Sequence, residues 1–490
     1  MRPSLSSSRF GLLPHVLLVL FVATALPATA LALSAPHRPH HRGGKAHRGG
    51  GKTRRGRAPE PGTLAQLPGA HGCLVDSSVR APGCGTARAL KGPGPFMGSR
   101  AIALSPNGKN VYVASLRSNA IAIFRRNSRT GRLTQPGGTG GCVAVKGAEA
   151  CASANGLNGP NSVAVSPDGR NVYATSRGSN SIAVFRRDPS TGALTQLPAA
   201  AGCISGLPVP VCTRGRALVA PDVVVVSPDG RNVYVGSFFG NAVAVFDRDP
   251  TTGALTQPSD DSGCVAEATG GCTPGIALGA PEGMAISPNG ARVYVAGALS
   301  NSLAVLARDK STGALSQASD GSGCIADAPL TGCATGRQLS GANAVGVGSV
   351  KGSVYVTSLF SNSVTSFGRE GGEFAQLPGT FGCLVWLRAV GCSFGRALSS
   401  PEGLAVSPDG RNVYVAAFAS GAIDVLDRSK TGAVAQKVGR SGCLAPRSVS
   451  GCARGRALRG VSSIALSPDG RYLYSTSFGS NAVDIFRRRQ

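Results

Sequence analysis

Short apolar runs, alternating or β-branched, recur along most of this chain, and they come in sets. Asn161-Ser-Val-Ala-Val-Ser166 alternates and predicts a strand. Pro167-Asp-Gly169 predicts a tight turn, because proline presets φ and glycine accepts the left-handed position. Asn171-Val-Tyr-Ala-Thr-Ser176 is a second strand, and Ser181-Ile-Ala-Val-Phe-Arg186 a third after another turn. Asp188-Pro-Ser-Thr-Gly192 then turns the chain into a short fourth strand, Ala193-Leu-Thr-Gln-Leu197. No ten-residue stretch of this unit carries a 3.6-residue apolar period, so no substantial helix is expected.

The unit repeats seven times. Its marker tyrosine recurs at Tyr112, Tyr173, Tyr234, Tyr294, Tyr355, Tyr414 and Tyr474, at intervals of 59 to 61 residues. The fifth copy has Ser349, Val350, Lys351 and Gly352 in place of the usual turn. Four antiparallel strands in each of seven units predict an all-β, seven-bladed β-propeller. The last unit stops after its third strand, Ala482-Val-Asp-Ile-Phe486. A surplus segment, Gly62-Thr-Leu-Ala-Gln-Leu67, matches Gly192-Ala-Leu-Thr-Gln-Leu197 and is expected to complete the last blade. Such closure leaves no open sheet edge.

Each repeat carries two cysteines: Cys73/Cys84, Cys142/Cys151, Cys203/Cys212, Cys264/Cys272, Cys324/Cys333, Cys383/Cys392 and Cys443/Cys452. Fourteen cysteines in seven close pairs, without zinc-type spacing, read as disulfides within single loops. The chain-entropy model gives each at most roughly 2.5–3 kcal/mol.

Residues 1–32 read as a secretory signal: Arg2 and Arg9, an apolar run at 16–25, then small residues at Ala28-Thr-Ala30 or Ala30-Leu-Ala32. Secretion to the exterior, periplasm or cell envelope follows as the expectation, with no integral membrane segment. Residues 33–61 read as a disordered linker. Its stretch 36–57 holds eight Arg/Lys and His37, His40, His41 and His47, without an acid. It could adhere to an anionic surface, hold a metal, or only link. Residues 62–490 are the propeller, itself basic, with 40 Arg/Lys against 24 Asp/Glu from residue 58 on. Aromatic stacking platforms are too sparse for nucleic acid to be the expected partner, and a monomer is expected.

The consensus Ser-Pro-Asp-Gly-Arg-Asn-Val-Tyr-Val at 227–235 and 407–415 is followed by Ser-Asn-x-hydrophobic and, in several copies, Asp-x-x-Thr-Gly-Ala-Leu. This pattern resembles the lactonase-like seven-bladed propellers, a group with bacterial 6-phosphogluconolactonases, fungal carboxymuconate cyclases and YVTN-repeat surface proteins. The resemblance implies the fold and a lactone as one candidate substrate class. The cyclases' His/Arg/Glu site does not carry over, since His71 is the propeller's single histidine.

The first strand of each blade should line the central channel. Five residues before each turn serine, or the corresponding position in the fifth copy, stand Arg100, Asn161, Asp222, Glu282, Asn343, Glu402 and Ser462, polar in every copy. They are either wet strand starts or a ligand-binding ring. Asp222, Glu282, Asn343 and Glu402 are hard oxygen donors suited to Ca²⁺ or Mg²⁺, and six-bladed gluconolactonases offer an analogous set; no cofactor is required by the sequence. The cysteine loops, expected to open onto the same mouth, end in Gly-Arg-Ala-Leu or variants with Arg88, Arg216, Arg337, Arg396 and Arg456. These arginines either bind an anionic ligand or brace loop carbonyls. Asn119, Asn180, Asn241, Asn301, Asn362 and Asn481, with Gly421, read as left-handed turn residues, and the aspartates of the Ser-Pro-Asp-Gly turns as turn formers.

No residue set is singled out as catalytic. The leading reading is a secreted, disulfide-stapled propeller that binds a small-molecule or cell-surface ligand, anionic in character, on its loop-bearing face. The alternative is a lactone hydrolase, with ring carboxylates as base or metal ligands and Arg100 stabilising negative charge. A surface-layer role is the third.

Overall fold

The computed structural model describes residues 60–94, 100–267, 270–348, 352–370 and 373–490. The expected signal segment, the linker up to residue 59 and the fifth-copy residues Ser349, Val350 and Lys351 lie outside them. The described chain is the expected seven-bladed propeller, and its only helical elements are 3-10 turns of three or four residues.

Blade 2 serves for all. Its first three strands, Pro160–Val165, Asn171–Ser176 and Ser181–Arg187, form an antiparallel meander. The fourth position is filled differently from the single strand expected. Leu194–Gln196 covers one end of the third strand and Cys203–Ser205 the other, with a 3-10 turn at Ala199–Gly202 between them. A short segment, Thr213–Arg214, then pairs in parallel with Cys203–Ser205 as the outermost strand.

Blade 7 is completed as expected. Leu64–Gln66 pairs with Ala482–Arg488, Leu64 opposite Arg488, and Cys73–Asp76 pairs with the same strand further along.

The cysteines pair as expected, each within its own loop: Cys73–Cys84, Cys142–Cys151, Cys203–Cys212, Cys264–Cys272, Cys324–Cys333, Cys383–Cys392 and Cys443–Cys452, Cα to Cα 4.7–4.9 Å. Their expected place at the channel mouth is corrected by the structure. The first cysteine of each pair begins the outer segment of its blade, or lies within it at Cys324. The second leads directly into the outermost strand: Cys84, Cys151, Cys212, Cys272, Cys392 and Cys452 precede it, and Cys333 is its first residue. Both segments lie on the far side of the sheet from the channel-lining strand, so the disulfides sit at the rim. The physical reason is the split fourth strand. Its second half continues outward across the third strand, and each bond clips the outermost strand to that half.

The hydrophobic core lies between blades. One apolar cluster joins Tyr173, Ile182 and Val184 of blade 2 to Val224, Val233 and Phe246 of blade 3. The marker tyrosines are buried, so their hydroxyls need partners. Tyr173 donates to Gly253 O at 2.9 Å and accepts from Arg248 Nε at 2.8 Å, both on blade 3. The same tyrosine–glycine–arginine junction recurs at Tyr112, Tyr234, Tyr355, Tyr414 and Tyr474. At the remaining seam Tyr294 packs its ring against Phe374 at 5.4 Å.

Two further latches cross the seams. Arg248, Arg308, Arg488 and Arg126 each reach back to an aspartate of the preceding blade's turn, at 2.7–3.1 Å to Asp168, Asp229, Asp409 and Asp469. Those aspartates therefore form turns, as expected, and also neutralise a buried guanidinium. At all seven seams a glutamine at the end of the short outer strand, or just after it, clasps one residue of the preceding blade's loop. Gln257, for example, accepts from Arg216 N–H at 2.7 Å and donates to Arg216 O at 3.2 Å.

Candidate functional site at the channel

First strands of all seven blades line a central cavity of about 450 Å³. Its wall is mainly Val, Ile, Leu and Ala, from residues such as Val163, Val224, Ile286 and Leu404. Two of the seven aligned polar residues face it, Arg100 and Glu402. Arg100 spans the channel: from blade 1 its Nη2 donates to Val345 O of blade 5 at 3.1 Å. Glu402 is nonetheless fully buried, and so are the other five at the starts of their strands.

Two of those five are absorbed by structure. Asn343 donates to Pro401 O at 3.0 Å and accepts from Thr357 Oγ1 at 2.7 Å, and Ser462 donates to Gly94 O at 2.9 Å. Asn161, Asp222 and Glu282, on consecutive blades 2, 3 and 4, converge instead. Asn161 donates its side-chain amide to Asp222 Oδ1. The same oxygen meets Arg177 Nε at 3.0 Å, from the turn between the second and third strands of blade 2. Arg177 lies over the Phe238 ring at 4.5 Å and is the partly exposed member, 26 % by side chain.

Glu282 is the exceptional residue. It is 1 % exposed, and neither carboxyl oxygen has a hydrogen-bond partner. Burial pushes its pKa well above the usual carboxylate range; the Asp222 charge adds to this and Arg177 opposes it. Burial raises Asp222 to about 6, against the pull of Arg177 and Asn161. The site thus holds a carboxyl raised well above its usual range beside a second raised to about 6, with a guanidinium at hand. Two such carboxyls differ in how tightly they hold a proton, so one can accept a proton while the other donates one.

The four-donor metal set is not assembled. Asn343 is bound elsewhere, Arg177 occupies Asp222, and among the described residues no three His, Cys, Asp or Glu side chains gather to hold an ion. The loop arginines brace neighbouring blades. Arg216 donates to Gly271 O, Pro258 O and Asp260 O at 2.6–2.7 Å, and Arg88, Arg337, Arg396 and Arg456 bond equivalent carbonyls. His71 sits exposed in a rim turn. The turn asparagines have φ of 44–49°, or 50° at Asn301, and each of the six accepts from a backbone N–H leading into the next blade, Asn481 doing so across the closure, from Gly92.

Arg177 escaped the sequence reading, although a signal was present. The residue after the second strand is Leu116, Phe238, Ala298, Leu359, Phe418 and Phe478 in the other blades, and only blade 2 places a charge there. The next residue in three of these turns bears a large, exposed apolar side chain: Phe239, Leu299 and Phe360, 66–73 % accessible.

The family described as "Lactonase, 7-bladed beta-propeller" matches residues 143–269 and 219–324, which include Asn161, Arg177, Asp222 and Glu282. No curated protein matches the chain. Among solved structures, a candidate 6-phosphogluconolactonase from Bacteroides uniformis is 19 % identical with a TM-score of 0.50, covering 76 % of this chain and 88 % of its own. The periplasmic gluconolactonase of Pseudomonas aeruginosa is 18 % identical with a TM-score of 0.48, covering 77 % and 93 %. Likeness at these identities concerns the fold. By its repeat and its fold this chain is a seven-bladed β-propeller, and its segment 143–324 matches the lactonase propeller family.

Proposed function

We propose that the protein is a lactone hydrolase, working without a metal at the Arg177–Asp222–Glu282 cluster. The observation that carries this reading is Glu282, a buried carboxyl without a partner, beside a second carboxyl and a guanidinium. Ionised Asp222 takes a proton from water, and the water oxygen bonds to the lactone carbonyl carbon. Arg177 balances the negative charge that develops on the carbonyl oxygen. As the tetrahedral intermediate collapses, the ring C–O bond breaks and Glu282 gives its proton to the leaving oxygen. Entry requires Arg177 to lift from Phe238, since both carboxyls are shut off from solvent. The exposed Phe239, its ring 4.9 Å from that of Phe238, offers an apolar face for one side of a sugar-derived ring.

The seven disulfides fit an oxidising compartment, and with the N-terminal sequence they support a place outside the cytoplasm. A non-catalytic binding propeller is the second reading, favoured by the same closure of the carboxyls. Hydrolysis of aldonic δ-lactones by the purified chain separates the two. The hydrolase reading predicts turnover above the spontaneous rate and a loss of ~10²-fold or more in Glu282→Gln. A rate equal to the blank, or an unaffected variant, leaves the binding reading.

A further inference from the structure

Blade 5 is unlike its six siblings at the rim. Fourteen large apolar side chains are exposed among the described residues, and six belong to this blade: Phe360, Phe381, Trp386, Leu387, Val390 and Phe394. Three of them, Trp386, Leu387 and Val390, lie within the loop closed by Cys383–Cys392, and Val390 is fully exposed. Trp386 N–H donates to Asn362 O at 3.0 Å, which joins this loop to the turn that carries Phe360. A small, cross-linked knob therefore projects apolar groups into solvent at positions where blade 6 carries Pro446, Arg447 and Ser450. An apolar cluster of this size on a rigid loop marks a contact surface.

Its surroundings name the occupant. Residues 374–401 and 428–468 contain no acid. The neighbouring blade 6 rim is held against blade 5 by Arg396 Nη2 on Gly439 O at 2.6 Å. It exposes Arg440, Arg447 and Arg454, and Arg388 is exposed on the knob itself, its guanidinium 5.4 Å from the Phe394 ring. Two copies meeting here would bring two acid-free basic rims together, so a second copy is disfavoured. Tryptophan and other large apolar groups bordered by arginines suit a bilayer interface with anionic headgroups: the apolar tip enters the acyl boundary and the guanidiniums stay with the phosphates. We propose that the blade 5 loop, with the adjoining blade 6 rim, docks the propeller peripherally onto an anionic lipid surface. This holds whether or not the channel cluster is catalytic.

Trp386 is the only tryptophan of the chain, so the knob carries its own reporter. The full chain is titrated with vesicles of phosphatidylglycerol and phosphatidylcholine, and with phosphatidylcholine alone, while tryptophan emission and co-sedimentation are followed. The expected result is a blue shift and sedimentation with the anionic vesicles only, weakened by salt. The double variant Leu387→Asp/Val390→Asp, altered only at exposed positions, should lose about tenfold or more in partitioning at an unchanged melting temperature. Three results overturn the proposal. One is an unshifted Trp386 on anionic vesicles. The second is equal binding by the double variant, which assigns adhesion to the basic segment at 36–57. The third is a lipid-free dimer that the double variant dissolves, which assigns the knob to a second copy.

Discussion

Arg177 of blade 2 and Asp222 of blade 3 meet across a blade seam, Nε to Oδ1 at 3.0 Å, with Asp222 1 % exposed. An aspartate so placed keeps its charge only while the guanidinium stays. Arg177→Ala should therefore lower stability by about 2–3 kcal/mol at pH 8, where Asp222 must either stay ionised without its counter-charge or take up a proton. At pH 5 the loss should be smaller, because a carboxyl titrating near 6 is already largely protonated there. Urea melts at the two pH values test this, and a loss independent of pH would show that Arg177 contributes by packing on Phe238 alone.

Closure of the ring rests on Tyr414 as well as on strand pairing. Its hydroxyl donates to Gly62 O at 2.7 Å and accepts from Arg488 Nε at 2.7 Å. Tyr414→Phe leaves a buried carbonyl and a buried guanidinium short of one partner each, and should cost about 1–3 kcal/mol. Removing residues 58–67 should do more, since it uncovers one end of the Ala482–Arg488 strand. A truncated protein that stays monomeric and melts at the parent temperature would contradict the closure.

Stability should pass through a maximum in mild acid. Burial raises Asp424, Asp484 and Glu282 well above their usual range and Asp222 to about 6. Such groups contribute fully below the ordinary carboxylate pKa, and the contribution is lost as pH rises through the raised values. Asp168, Asp229, Asp409 and Asp469 work the other way. Burial pushes them up, but their serine and arginine partners outweigh it and hold them low. Their contribution is present above the ordinary range and lost as pH falls through the depressed values. The melting temperature should peak at roughly pH 4–5. Asp424→Asn, altering a side chain with one oxygen unpartnered, should flatten the decline on the alkaline side.

Much of this was legible because the repeat displays it seven times over. The tyrosine marker, the left-handed asparagines and the surplus N-terminal strand each stand out by comparison between copies. The cysteine spacing was enough to pair Cys203 with Cys212 and each of its equivalents, but not to place the bonds. The split fourth strand was hidden, since Leu194–Gln196 and Cys203–Ser205 look like a strand and a loop until both are seen on one partner strand. Arg248 and its equivalents were equally opaque. An arginine at the end of a strand reads as solvated, yet here it is buried between a tyrosine of the previous blade and a turn aspartate. The aligned polar positions could be read off the repeat, but what each side chain meets could not. Whether Asn343 braces a strand or Glu282 is left without a partner depends on what the neighbouring blade presents. Asp424 and Asp484 replace the Ala122, Ala183, Ala244 and Ala304 of other copies, a departure as informative as that of Arg177.

The central claim is that Asp222 and Glu282 act as a proton-transfer pair, and the pH dependence of kcat/KM for lactone hydrolysis tests it most directly. An acid limb near pH 6 is expected, where Asp222 becomes the base, and a decline at higher pH as Glu282 loses its proton. In Asp222→Asn the acid limb should vanish, together with ~10²-fold or more of the rate. An Asp222→Asn enzyme that keeps both the wild-type rate and the wild-type acid limb would contradict it.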